Sequence, residues 1–160
     1  MEVIINRSRA PLWKKNALSS REIRKLVIAC FEKTKTFADS VFLNVNFTDA
    51  KTITLLNRQY RGIDKSTNVL SFANCDDKNV FYGRNHKTLF LGDLFFCFEK
   101  IQQEAEEYNK TFQDRLKHLF VHGALHLLGY DHIVENDRKV MEKIEEDILK
   151  DFEIFNIYSF

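Results

Sequence analysis

The chain has 160 residues, 24 Lys and Arg against 23 Asp and Glu, a net charge of +1 and 44% hydrophobic residues. That length fits one domain with a core of its own, and so even a charge balance excludes binding to nucleic acid through bulk charge alone. No apolar run approaches the roughly 20 residues that span a bilayer. The N-terminus, MEVIINRSRAP, lacks the apolar stretch of a secretion signal, so a cytoplasmic location is expected.

Residues 2–6 read as a short strand, and 7–18 as a connection holding the single proline, Pro11, and the single tryptophan, Trp13. Ser19 or Ser20 caps a helix to about Lys35. Ile23, Leu26, Val27, Cys30 and Phe31 recur at spacings of three and four on its apolar face. Arg21, Arg24, Lys25 and Lys33 make its solvated face. Residues 41–47 alternate, with Val41, Leu43, Val45 and Phe47 on the buried side of a strand. Thr48 or Asp49 begins a helix through about Tyr60, anchored by Ile53, Leu55, Leu56 and Tyr60. Residues 67–72, TNVLSF, are β-rich and expected to form a central strand. The polar stretch 74–87 reads as a loop or loose hairpin with His86 exposed. Residues 88–98 form another strand, broken in character by Gly92 and Asp93. A helix follows over 99–108, and Thr111 with Asp114 caps the next one. The last helix spans about 136–151, with Val140, Ile144 and Ile148, joined by Met141 and Leu149, as its buried stripe. The order strand, helix, strand, helix, strand, strand, helices predicts an α+β fold, a small mixed sheet packed with about five helices in one domain over 1–160. Cys30, Cys75 and Cys97 form no CxxC pair and are expected as free thiols, the first and third packed and Cys75 near the surface.

The chemistry concentrates between Arg115 and His132, RLKHLFVHGALHLLGYDH. His122 and His126 are four apart and share a helix face. Gly129 suits the left-handed residue that ends a helix, and that turn brings His132 back as a third ligand. Three histidines with an open fourth position are the donor set of a catalytic zinc. The helix around them is apolar nearly all round and therefore buried, so its imidazoles need partners. Such an ion lowers the pKa of a bound water to about 7 and polarises a phosphoryl oxygen. The frame H-x3-H-x2-G-x2-H also occurs in metzincin proteases, which place Glu directly after the first histidine as general base. Here that position is Gly123. The charge is uneven as well: residues 133–160 hold four basic and eight acidic side chains, a balance of −4, leaving +5 for the part that carries the motif. That suits a polyanionic substrate held in a cleft.

HGALHLLGYDH resembles the signature of the YbeY family of bacterial endoribonucleases. LNRQYRGIDKSTNVLSF, residues 56–72, is similar to that family's second motif, and LGDLFFC, residues 91–97, to its third. The resemblance covers nearly the whole chain. It implies about four strands, with the metal site on a helix and the turn after it. It implies a single-strand-specific, metal-dependent endoribonuclease that matures the 3′ end of small-subunit ribosomal RNA and aids ribosome quality control. One zinc per chain, held by His122, His126 and His132, is the expected cofactor, although imidazole also accepts nickel and other divalent ions. The expected partners are ribosomal RNA and the ribosome or its proteins, with neither membrane nor DNA. By the same resemblance Arg61 acts at the active site, where a guanidinium pairs with phosphate and stabilises growing charge. Arg58 and Lys65 are weaker candidates for the RNA backbone. Ser71 and Asp93 read as structural, and Asp131 as a turn residue or a partner for a ligand. His118 reads as a support for the ligands or a substrate contact. Where many relatives follow SF with Pro, this chain has Ala73. Two other readings stay open: a metalloprotease or amidohydrolase on the same site, and a ribosome-assembly factor whose metal only holds the fold.

Overall fold

The computed structural model describes residues 1–74 and 85–160, so Cys75 and most of the expected 74–87 loop lie outside the described residues. Strand β1 (Glu2–Arg9) is followed by a single 3-10 turn and by α1 (Ser20–Thr34). Ser19 is the cap: its hydroxyl accepts from the Glu22 backbone N–H while the Glu22 carboxylate accepts from the Ser19 N–H at 2.8 Å. All five residues expected on the apolar face of α1 are buried. Helix α1 carries the chain back so that β2 (Phe37–Thr48) pairs parallel with β1. Asp49 caps α2 (Ala50–Arg61), accepting from Thr52 N–H at 2.8 Å. Strand β3 (Val69–Ala73) and β4 (Asn85–Cys97) pair antiparallel, and β4 then pairs parallel with β2. Helices α3 (Phe98–Glu107), α4 (Phe112–Leu127) and α5 (Glu135–Lys150) complete the order. Among the described residues the result is α+β, one mixed four-stranded sheet of order β1-β2-β4-β3 with five α-helices. No helix among the described residues is long and apolar enough to cross a membrane.

One face of the sheet makes the main core. Val41, Leu43, Val45 and Phe47 join Leu89, Leu91, Leu94 and Phe96 against buried residues of α1, α4 and α5. Trp13 is fully buried there, and its indole donates to the Thr48 carbonyl at 2.7 Å. On the other face α2 lays Ile53 against Leu70 and Cys97. Phe42 and Phe90 stack on the open remainder of that face, ring centroids 4.9 Å apart.

Four expectations change. Residues 67–72 do not form a central strand: β3 is the short edge strand, and β4 takes the place beside β2. The segment looks central because helices cover both its faces, α2 on Leu70 and α4 on Val69 and Ser71. In α2, Leu55 and Tyr60 are exposed, Tyr60 meeting the sheet only edge-on at Phe72, while Asn57 is buried, because the stripe through Ile53 is the one that packs into the sheet. In α5, Val140 is exposed and Glu145 takes the buried position, because the stripe facing α4 runs Met141, Glu145, Ile148. His86 is half-buried rather than exposed.

Gly92 does not break β4. The register with β2 shifts by one residue between Phe42 and Leu43, a bulge that inserts Leu91 into the core. Gly92 sits at φ +133, and a Cβ there would lie 2.1 Å from the Phe72 carbonyl oxygen. Gly92→Ala should therefore cost about 3 kcal/mol or more of unfolding free energy. Gly62→Ala, at φ +70 with nothing within 4 Å, should cost about 1. Urea unfolding of the two variants checks the order; equal losses would remove the steric role of Gly92.

Candidate metal centre and cleft

Helix α4 begins at Thr111, whose hydroxyl accepts from Asp114 N–H at 3.0 Å. It is wrapped by sheet and helices, with Leu116, Phe120, Val121, Leu125 and Leu127 fully buried. It ends in a Schellman motif: Gly129 N–H donates to His126 C=O at 2.9 Å and Tyr130 N–H to Leu125 C=O at 3.0 Å, with Gly129 at φ +90. Asp131 then accepts from His132 N–H at 2.6 Å and from Ile133 N–H at 3.3 Å, fixing the turn that carries the third histidine. This is the turn-stabilising role.

The three histidines come together, one ring nitrogen from each lying within 4.8 Å of the others. The Nε2 atoms of His122 and His126 are 3.2 Å apart. Nitrogens bonded to one tetrahedral zinc are separated by about 3.3 Å, as Zn–N bonds of about 2.0–2.1 Å require. The donor set therefore fits a divalent ion, with His132 on the exposed turn left to close the last ångström or so. Burial, reinforced by the charges of His122 and His132, pushes the His126 imidazole down to about 4. It is neutral at pH 7, with a lone pair available to a metal.

Sequence reading missed the group that orients His122. Glu145 of α5 is fully buried, and its Oε1 lies 2.6 Å from His122 Nδ1. Burial alone would raise this carboxyl, but the His118 and His122 rings outweigh it and bring it down to about 2. An ionised carboxylate only accepts, so Nδ1 carries the proton and Nε2 is bare toward His126. The other oxygen, Oε2, accepts from the Tyr158 hydroxyl. His118 does not reach the cleft. Its Nε2 is 3.4 Å from the Tyr158 hydroxyl, and its Nδ1 is 3.3 Å from Arg115 Nη1. Arg115 in turn donates twice to Glu104 Oε2, at 3.0 and 2.8 Å, and Asn68 donates to the same carboxylate. The readable signal was a glutamate on an apolar stripe, four residues after Met141 and three before Ile148.

A cleft of about 670 Å3 opens over the histidines, and Arg61, Lys65, Ser71 and Asp131 line it with them. Arg61 closes the last turn of α2. Its Nη2 donates to the Ser71 carbonyl at 3.2 Å, and its guanidinium carbon lies 5.8 Å from the Phe72 ring centroid. Among the described residues one of its five N–H donors is used this way, and the side chain is exposed. Asn57, also missed, holds the following loop by donating to the Lys65 carbonyl at 2.9 Å. Arg58 lies outside the cleft lining and 4.0 Å from Asp64. Ser71 Oγ donates to the Gly123 carbonyl at 3.3 Å, and Asp93 accepts from Asn44 across β2 and β4 at 2.7 Å, both structural roles. A Cβ at Gly123 would lie 2.8 Å from Leu94 Cδ2 and 3.2 Å from Ser71 Oγ. A side chain at the position where a metzincin carries its glutamate would have to displace the packed side chains of β3 and β4.

Fold and site together define a small α+β protein with a histidine cluster able to hold a metal in an open cleft. Residues 10–153 match the family described as Endoribonuclease YbeY. Curated relatives of that name include one from Buchnera aphidicola, 43% identical over 67% of this chain and 64% of its own length. One from Thermoanaerobacter sp. is 34% identical over 85% of this chain and 89% of its own, and one from Bradyrhizobium diazoefficiens is 36% identical over 94% and 81%. A solution structure of a Thermotoga maritima protein superposes with a TM-score of 0.57 at 25% identity, covering 94% of this chain and 92% of that one. The chain belongs to the YbeY family of endoribonucleases, hydrolases that act on RNA.

The shifted groups set a pH dependence for the metal-free protein. His126 binds its proton less readily folded than unfolded, so stability falls as pH drops from about 6.5 through about 4. Burial lowers His118 as well, in the same direction. Glu145 acts lower: its contribution is whole above 4.5 and is lost as pH falls toward 2. Urea unfolding of metal-stripped protein over a pH series should show both limbs, and His126→Gln should flatten the upper one. An unchanged upper limb in that variant would remove His126 as its source.

Proposed function

We propose that the chain is a metal-dependent endoribonuclease that cuts single-stranded RNA in the cleft between β3 and the histidine-bearing turn. Residues 1–160 form one such domain, acting in the cytoplasm. Its substrate is ribosomal RNA, in particular the 3′ end of the small-subunit RNA, and through that cleavage it serves ribosome quality control in contact with the ribosome. The observation that carries this reading is that one cleft is lined by His122, His126, His132 and Arg61 together.

The residues divide the work. When bound to the three histidines, zinc or another imidazole-accepting divalent ion supplies Lewis acidity and an activated water. Glu145 holds the His122 ring so that its bare nitrogen faces the other donors. Arg61, tethered to β3 at the rim, meets the phosphate and stabilises the charge that grows on its oxygens. Lys65, on the loop that Asn57 secures, offers a point charge to the neighbouring backbone. Gly123 supplies no carboxylate where a protease has its general base, and a side chain there would have to displace Leu94 and Ser71, which weighs against peptide hydrolysis.

Cleavage of a single-stranded ribosomal RNA fragment, with metal content measured on the same samples, tests this. Arg61→Ala should keep its metal and lose activity by about 10²-fold or more. His126→Ala should lose both metal and activity. Equal trace cleavage by wild type and both variants would mean contamination, and the assembly-factor reading would take its place.

A further inference from the structure

The C-terminal segment lies beyond the family match, which ends at residue 153, yet it is built into the protein. Ile154 and Ile157 are buried in the main core. Lys110 donates to the Asn156 carbonyl at 2.6 Å, and the Phe160 ring packs on Tyr108 with centroids 4.2 Å apart. The segment turns back at Glu153 and Asn156, both at positive φ. That turn brings Tyr158 alongside α5, where its ring meets His118 edge-on at 5.1 Å. Its hydroxyl ends on Glu145.

We infer that Tyr158 is a positioning residue for the metal centre: its hydroxyl locks the Glu145 carboxylate in the orientation that aims His122 Nε2 at the ion. The argument is geometric and rests on the metal reading of the three histidines. A carboxylate turns easily about its terminal torsion, which has no deep staggered wells. One bond, from His122 Nδ1 to Oε1, fixes a contact but not the plane. The plane is set by what holds Oε2, and there the structure offers Tyr158 and His118. His118 Nε2 is 3.8 Å from Oε2, too far for a hydrogen bond. Its nearer partner is the Tyr158 hydroxyl at 3.4 Å. The phenol is thus the group that joins Glu145 to His118 and, through it, to the Arg115–Glu104 pair. A small cavity of about 220 Å3, lined by His122, His132, Glu145 and Tyr158 among others, lies beside them. It gives a loosened carboxylate somewhere to swing. Partners one step removed from a metal typically set affinity by 10–100-fold.

The test is zinc binding by Tyr158→Phe, which keeps the packed ring and removes the hydroxyl. Zinc affinity is read by chelator competition, and the release rate from zinc-loaded protein by transfer to a chromophoric chelator. Wild type and a deletion of residues 158–160 run alongside, and metal-free stability is measured by urea unfolding. Tyr158→Phe should bind zinc about tenfold more weakly and release it correspondingly faster, and the deletion should match it. If Tyr158→Phe loses stability while both zinc readings stay within about twofold of wild type, the hydroxyl is structural only and the inference falls. A deletion that weakens binding where Tyr158→Phe does not would assign the effect to packing and overturns it equally. Failure of wild type itself to bind zinc stoichiometrically would overturn the metal reading, and this inference with it.

Discussion

Helix α4 is buried on nearly every side, yet one of its stripes carries Arg115, His118, His122 and His126. Polar groups shut away from water must find partners, and removing one member of a buried charged pair typically costs about 3–5 kcal/mol against about 1 for an ordinary hydrogen bond. The partners come from elsewhere: Glu104 from α3, Glu145 from α5, Tyr158 from the C-terminal segment. Each ties its own element to α4. The packing of three helices and a tail is thereby set by the need to satisfy one polar stripe as much as by the apolar surface around it.

The stripe changes character along its length. Its inner end, Arg115 with Glu104, is closed and about nine-tenths buried. His118 and Glu145 are buried as well, while His122 is partly open and His132 lies on the surface. Groups that must stay fixed are kept dry, and groups that must meet a ligand are exposed. The cleft's remaining wall comes from across the sheet. Helix α2 packs on the opposite face, and its last residue, Arg61, reaches round the edge strand to bind the Ser71 carbonyl. The edge position of β3 lets residues from both faces of the sheet share one cleft.

The same short strand shows why part of the fold escaped pattern reading. A segment covered by helices on both faces carries the composition of a central strand wherever it lies in the sheet. In α2, the expected anchor Leu55 faces solvent, Tyr60 touches the sheet only at the rim through Phe72, and Asn57 faces in, because a helix that covers only part of one sheet face contributes one narrow stripe. By contrast α1, whose whole apolar face meets the main core, buries every residue expected on that face, with Thr34 added at its end.

Local pattern was enough for what local physics controls. It sufficed for the order of strands and helices, for narrowing two helix starts to Ser19 or Ser20 and to Thr48 or Asp49, for the left-handed Gly129, and for the spacing that puts His122 and His126 on one face. It also pointed to Gly123 as a position without a general base. The tertiary structure decided what depends on residues distant in sequence. It placed β4 rather than β3 beside β2, gave Gly123 a packing reason to lack a side chain, brought Arg61 to the histidines, and set Glu145 and Tyr158 behind His122. Helical and strand periodicities report which face a residue occupies on its own element. They say nothing about which residue of another element will stand opposite, because that follows from how twisted, unequal surfaces close on one another.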